Sequence, residues 1–276
     1  MSFSLIHYIK TEGSFLPEEM RLSVCLKATG FSFSLIDKAF QLKAVGEFSV
    51  DLTKGISSVM QSVKQCFASL DIKNLKFDKV RIISLSDRQV WIPFKLYDKT
   101  QDKNYLTKVC NVPSSDTIRS SVVESIDAVS VFAISLNHYS GIKIAMPQAK
   151  YATQHEVLAN HLFDISSFAS NNLLLHKRGT TFDMMLFKSN NLFFSNHFVC
   201  VKPMDTVYYL LFALGRAGLD IEDVQLLITG DAYDKEEFDT LRRYAPNIAF
   251  TNPLENVKAG VEFDEVDLQP YFLLLA

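Results

Sequence analysis

The chain has 276 residues, 48% of them hydrophobic and 21% charged, with 28 basic residues against 31 acidic ones. Such a composition supports one large or two modest cores, and the lack of a basic excess argues against nucleic acid or an anionic membrane surface as partner. Cys25, Cys66, Cys110 and Cys200 stand far apart in apolar contexts with no pair at metal-ligand spacing, and read as buried free thiols of a reducing compartment.

The opening stretch MSFSLIHYIKTEGSF has no basic start followed by a long apolar run, so no secretory signal is expected. No stretch reaches the roughly 20 apolar residues of a membrane span; the longest candidate, 206–217, is interrupted by Gly215 and Arg216. The expectation is a cytoplasmic protein without a direct membrane span. Glycine and proline are sparse and low-complexity tracts are absent, so the whole sequence should fold.

In chain order, residues 21–51 alternate aromatic or β-branched with polar residues, with turns near Thr29-Gly30 and Lys38-Ala39. That predicts a three-stranded antiparallel meander. Val59, Met60, Val63, Phe67 and Leu70 then recur at helical spacing. Residues 79–85 form a short apolar run suited to a buried strand. Residues 91–109 turn into a helix after Pro93, 118–125 and 128–135 read as strands, and 136–146 and 153–163 as helices.

From residue 173 the order returns. LLLHKRG, TTFDMMLFK and NLFFSNHFVCV predict three strands, and Pro203 opens a helix. Val224 to Thr229 predicts a buried strand. The next helix has Asp234 as N-cap, acids in its first turn, and Arg242 and Arg243 in its last. Beyond residue 250 the pattern is loop-rich until YFLLLA, a short closing helix on the second half. Strand, strand, strand, helix, strand thus occurs twice. A constant offset of 149 sets Gly30 on Gly179, Phe33 on Phe182, Val50 on Val199 and Ala68 on Ala217. An internal duplication follows, with subdomains 1–147 and 148–276.

A βββαβ unit used twice resembles the plan of the actin-like ATPase superfamily, built from two ribonuclease-H-like domains with mixed sheets. Leu22 to Asp37, Leu192 to Phe198 and Asp205 to Asp231 are similar to a bacterial family of unknown function with that α/β fold, related to pilus-assembly and cell-division members. The resemblance implies phosphate hairpins at Lys27 to Ser32 and His176 to Asp183, and an adenosine-side turn at Leu226 to Asp231. It also implies an Asp at the end of the first strand of each half. Here those places hold Leu26-Lys27-Ala28-Thr29-Gly30 and His176-Lys177-Arg178.

Phosphoryl transfer needs Mg²⁺ on the phosphates and an acid to hold it. Basic residues in that position repel the metal, so neither ATP hydrolysis nor a metal site is expected. The candidate ligand-binding residues are Lys177, Arg178, Gly179, Thr180, Thr181, Gly230 and Asp231. Gly179-Thr180-Thr181 reads first as a hairpin turn and second as an anion nest. Other motifs fail: His155 and His161 are six apart, so their rings diverge on a helix, which predicts a surface helix and no zinc site. Glu236, Glu237 and Asp239 read as a solvated helix face. No P-loop or Gly-x-Ser-x-Gly elbow occurs. The sequence therefore points to a non-catalytic adaptor or scaffold with another protein as partner and no cofactor. The alternative is a binder of a nucleotide or other phosphate-bearing ligand in the inter-lobe cleft through Lys177 and Arg178.

Overall fold

The computed structural model describes residues 3–13, 16–167 and 170–276. Part of the opening stretch read for a signal, at positions 1, 2, 14 and 15, lies outside them. The chain divides into two compact units, Met1–Gln154 with Leu254–Val266 and Leu275, and His155–Pro253 with Asp267–Leu274 and Ala276.

The first unit contains β1 (Phe3–Lys10), β2 (Met20–Lys27), β3 (Gly30–Asp37), β4 (Leu42–Val50), α1 (Ile56–Ala68) and β5 (Lys79–Ser84). It continues through β6 (Gln89–Pro93), α2 (Asp102–Thr107), β7 (Asp116–Val123), β8 (Ala128–Ser135), α3 (Leu136–Ala145) and β9 (Lys150–Thr153). The main sheet runs β1-β4-β3-β2-β5-β9, and β6-β8-β7 form a small separate sheet. Strands β1 to β4 pair antiparallel, while β5 joins β2 and β9 in parallel.

Strand alternation puts Phe31, Phe33 and Leu35 on one face of β3. There Phe31 and Phe33 meet Phe48 of β4 and Phe67 of α1, with neighbouring ring centroids 5.3 to 5.9 Å apart. All four rings are fully buried. Gly30 opens β3 with φ 148°, and a Cβ there would lie 1.9 Å from the Phe48 carbonyl oxygen. Only glycine lets the two strands close at that point.

Several features of this unit differ from the sequence pattern. The helix expected directly after Pro93 begins only at Asp102, because the Asp98 side chain accepts the Thr100 N–H and holds the intervening chain in tight turns. Strand β1 carries a bulge between Leu5 and His7, which breaks the two-residue alternation that would have revealed it. Strand β9 is four residues long, too short to show a period.

The second unit contains α4 (Gln154–Ile165, from His155 onward), β10 (Asn171–Arg178), β11 (Thr181–Lys188), β12 (Asn191–Val199) and α5 (Pro203–Ala217). It ends with β13 (Gln225–Gly230), α6 (Lys235–Tyr244), β14 (Ile248–Phe250) and α7 (Phe272–Leu275). Its sheet runs β12-β11-β10-β13-β14, antiparallel through the first three and parallel from β10 onward. Thus β10-β11-β12-α5-β13 repeats the order and directions of β2-β3-β4-α1-β5.

The gapless offset of 149 does not hold throughout. It fits β4 and β12, but Lys27 and Gly30 close the first hairpin where Arg178 and Thr181 close the second, two residues further along. The reason is the next turn: residues 38–41 separate β3 from β4, whereas only Ser189 and Asn190 separate β11 from β12. Cys25 and Ser32, not the Lys27 and Ser34 that the offset of 149 would select, are therefore the counterparts of His176 and Asp183.

Strands β10 and β11 are covered on both faces. Leu173, Leu175, Phe182, Met184 and Leu186 pack in one core with Val207, Leu210 and Leu214 of α5 and Leu241 of α6. His176 and Asp183 belong to the opposite face. Helix α4, expected at the surface, is buried along most of its length, with His155, Glu156, Val157, Leu158, Ala159, His161 and Leu162 all inside. Its polar residues find partners within the protein: His155 reaches Asp183, and the His161 ring lies edge-on to Phe272 at 4.8 Å. The two rings do diverge, as the six-residue spacing requires.

Helix α5 has a second apolar stripe besides its core face. Met204, Tyr208, Leu211 and Phe212 are exposed and recur at three- and four-residue spacing. Tyr208 and Phe212 stack on each other at 6.3 Å. No helix among the described residues is long and apolar enough to cross a membrane. All four cysteines are free, and burial pushes the Cys66 thiol up to about 12.

Gly30→Ala should lower unfolding free energy by about 2 kcal/mol or more, since strand β4 must move to admit the methyl group. Urea denaturation of the purified chain measures this directly; an unchanged midpoint would show that the close approach is dispensable.

Candidate functional site

The candidate residues gather at the tip of the β10–β11 hairpin and the end of β13. Arg178 pairs with Thr181 across a two-residue loop, Gly179-Thr180, and Gly179 adopts φ 57°. A glycine at the first loop position suits the tight hairpins whose twist matches the strands. Parallel pairing of β10 with β13 then brings Gly230 beside Lys177. Gly230 has φ 93°, and a Cβ there would lie 2.3 Å from the Lys177 carbonyl oxygen.

Alternation along β10 separates the three basic residues. His176 and Arg178 share one face, and Lys177 faces the other. On the first face sits Asp183, directly opposite His176 in the ladder and wholly inaccessible to solvent. Its Oδ2 accepts from Arg178 Nε at 2.7 Å and lies 3.1 Å from His176 Nδ1. Its Oδ1 accepts from an Arg178 terminal nitrogen at 2.9 Å and lies 3.2 Å from His155 Nε2. Burial works to raise the Asp183 pKa. Attraction to His155 and hydrogen bonds from His155, His176 and Arg178 override it and hold the carboxyl well below the usual carboxylate range.

On the opposite face, the buried Lys177 ammonium donates to the Ala232 carbonyl at 2.9 Å and pairs with Glu237. It also lies 5.0 Å from the Tyr233 ring centre. Glu237 is held for this by a capping box: Asp234 accepts the Glu237 N–H at 2.8 Å, and Glu237 accepts the Asp234 N–H at 3.0 Å. Glu237 is thus an ion-pair partner, whereas Glu236 and Asp239, read with it as a solvated face, are exposed. Burial, reinforced by the Glu237 charge, pushes the Tyr233 phenol up.

The hairpin turn is tied off in the same way. Gly179 N–H donates to the Asp231 carboxylate at 2.7 Å, and Asp231 N–H returns to the Lys177 carbonyl at 3.0 Å. Thr180 supplies its carbonyl to Cys200 N–H at 2.7 Å, and Thr181 pairs with Val199 of β12. Of the sequence candidates, Lys177, Gly179, Gly230 and Asp231 come together, while Arg178 turns to the Asp183 face. In the first unit the matching hairpin holds Lys27, whose ammonium meets Glu47 at 2.6 Å.

The sequence pattern holds Asp183 within the motif without a role, and it puts His155 on a surface helix and Glu237 on a solvated face, whereas His155 is buried against Asp183 and Glu237 pairs with Lys177. The signal for Asp183 was its phase on β11, opposite His176. The signal for Glu237 was its place three residues after Asp234.

Two outcomes are expected. Asp183→Ala should cost about 3–5 kcal/mol, since it leaves the Arg178 guanidinium and two buried histidine nitrogens without their carboxylate partner. Acid should act at the same point. The folded pKa of Asp183 lies below its unfolded value of about 3.9, so its stabilisation is complete above that value and is lost as pH falls through the folded pKa. Urea midpoints of the native chain should therefore fall on acidification below about pH 4, and that acid-dependent part should vanish in the variant.

No curated protein matches this chain. A Bacteroides thetaiotaomicron protein with actin-like ATPase fold and unknown function is 22% identical with a TM-score of 0.76, covering 94% of this chain and 97% of that one. The structure of a PilM-PilN type IV pilus biogenesis complex gives a TM-score of 0.60 at 12% identity, again covering 94% and 97%. These likenesses show the actin-like ATPase fold. The model of a protein family of unknown function, DUF3822, matches residues 16–248, and the chain belongs to that family.

Proposed function

We propose that this protein is a non-catalytic cytoplasmic adaptor or scaffold, an actin-like body that binds another protein and does not hydrolyse ATP. One observation carries the reading: both basic side chains of the hairpin and the Gly179 N–H already hold a carboxylate of their own unit. Asp231 takes the Gly179 N–H, Glu237 takes Lys177, and Asp183 takes Arg178. A phosphate would have to displace partners that are already charged and hydrogen-bonded, with no net gain in pairing. The likeness to PilM, whose structure was solved in a complex with PilN, supports a protein as the partner.

The outer stripe of α5 is the surface we assign to that partner. Its apolar side chains at three- and four-residue spacing, bounded by Asp205 and Arg216, match an amphipathic helix with complementary end charges.

Thermal unfolding with ATP or ADP, with and without Mg²⁺, should leave Tm unchanged. A nucleotide at 100 times its Kd would add about 2.7 kcal/mol, a shift of several degrees. Such a shift, abolished by Lys177→Ala with Arg178→Ala, would replace the adaptor reading with that of a phosphate-ligand binder. For the protein partner, a stoichiometric companion should co-purify under mild lysis and be lost on Tyr208→Glu with Phe212→Glu. Isolation of a free monomer from the native source would count against the adaptor.

A further inference from the structure

The first unit carries a pocket of about 500 Å³ away from the hairpins, formed by the end of α1, the loop between α1 and β5, and the loop after α3. Its apolar floor includes the partly buried Leu75 and Ala145, with Pro147 exposed beside them, and its rim carries Lys64, Lys73 and Lys76. The volume falls within the range of small-molecule sites, roughly 300–1,000 Å³. The loop that forms one wall is braced: Gln148 donates to the Leu75 carbonyl at 3.0 Å, and Asn74 accepts the Lys76 N–H at 3.1 Å.

Charge distinguishes this pocket. The chain as a whole has a net charge of −3, yet no acidic residue lines the pocket, and Asp71 and Asp78, close by in sequence, are not among its walls. None of the three lysines makes an ion pair or a side-chain hydrogen bond among the described residues. A fourth ammonium, on Lys143, is fixed behind the rim by the carbonyls of Pro147 and Ala149 at 2.8 and 2.7 Å. Two other pockets contrast with it. One, beside β13, is lined by Glu222 and Asp223 and no base. Another holds Lys43 already neutralised by Asp37 at 3.3 Å. Unpaired like charges on α1 and on the loop that follows it focus a positive potential into the pocket and raise the local concentration of anions. The apolar floor adds contact for the body of a ligand, while the flexible ammonium groups adapt to its charged ends.

We propose that this pocket binds a multiply charged small anion, a compact molecule bearing two or more phosphate or carboxylate groups. The site is independent of the hairpins and of the α5 stripe, so it stands or falls separately from the adaptor reading. Isothermal titration of the full-length chain with inorganic pyrophosphate, and separately with citrate, tests it at low ionic strength. At least one anion should bind saturably with one site per chain. The triple change Lys64→Ala, Lys73→Ala and Lys76→Ala should weaken that binding about tenfold or more, while leaving Tm of the free protein unchanged. The control Lys38→Ala, Lys54→Ala and Lys95→Ala removes the same charge elsewhere and should leave affinity within a factor of about two. Preference for pyrophosphate identifies a phosphate-bearing ligand, and preference for citrate a polycarboxylate; either supports the site. No saturable binding of either anion, or equal loss in the control, overturns it.

Discussion

A single buried carboxylate organises the second unit. Asp183 has no access to water, and an ionised carboxylate in that position costs several kcal/mol unless it is paired and hydrogen-bonded. His155, His176 and Arg178 supply that pairing from two different elements. The arrangement therefore does more than neutralise a charge. It fixes the register of β10 against β11, because a one-residue slip would carry Asp183 to the opposite face, among Leu173, Met184 and Leu186. It also ties α4 to the sheet through His155, which is why that helix is buried although its sequence looks mixed. The same residues that look like a phosphate grip in one dimension become structural ties in three.

The two repeats show how far polar content can change while a backbone plan persists. Cys25 and Ser32 stand in the first hairpin where His176 and Asp183 stand in the second. The first pair is small and nearly neutral, so that hairpin is held instead by packing of Phe31, Phe33, Phe48 and Phe67. Lys27 and Arg178 occupy matching ends: Arg178 answers Asp183 of the adjacent strand β11, whereas Lys27 reaches past β3 to Glu47 of β4. Charge at a hairpin tip is thus tolerated in both repeats on the same condition, an acid within reach on the same sheet.

Much of this plan was legible in the sequence. Period-two alternation marked the meanders and the 3.6-residue period marked α1 and α5, because burial of one face imposes those spacings directly. What stayed hidden depended on loop length and cross-strand register. A two-residue difference between the turns after β3 and β11 leaves the hydrophobic phase intact, so it is invisible to pattern matching, yet it changes which residues correspond. The partners of Arg178 and Lys177 come from β11 and α6, and their proximity is decided by the fold. Helix α4 misled for a related reason: histidine and glutamate count as surface residues until a buried partner is known.

The path of the chain has a consequence for biosynthesis. Residues 254–266 return to the first unit, where Lys258 bridges to Gln41 and accepts the Leu42 N–H at 2.7 Å. Residues 267–274 then rejoin the second, where Gln269 bonds to Thr229 and Thr251. On a ribosome adding about 5–20 residues per second, the first unit would wait on the order of ten seconds for its last segment to emerge. During that interval the Leu42 N–H lacks the Lys258 carbonyl, so this corner of β4 waits unpaired on the emerging chain.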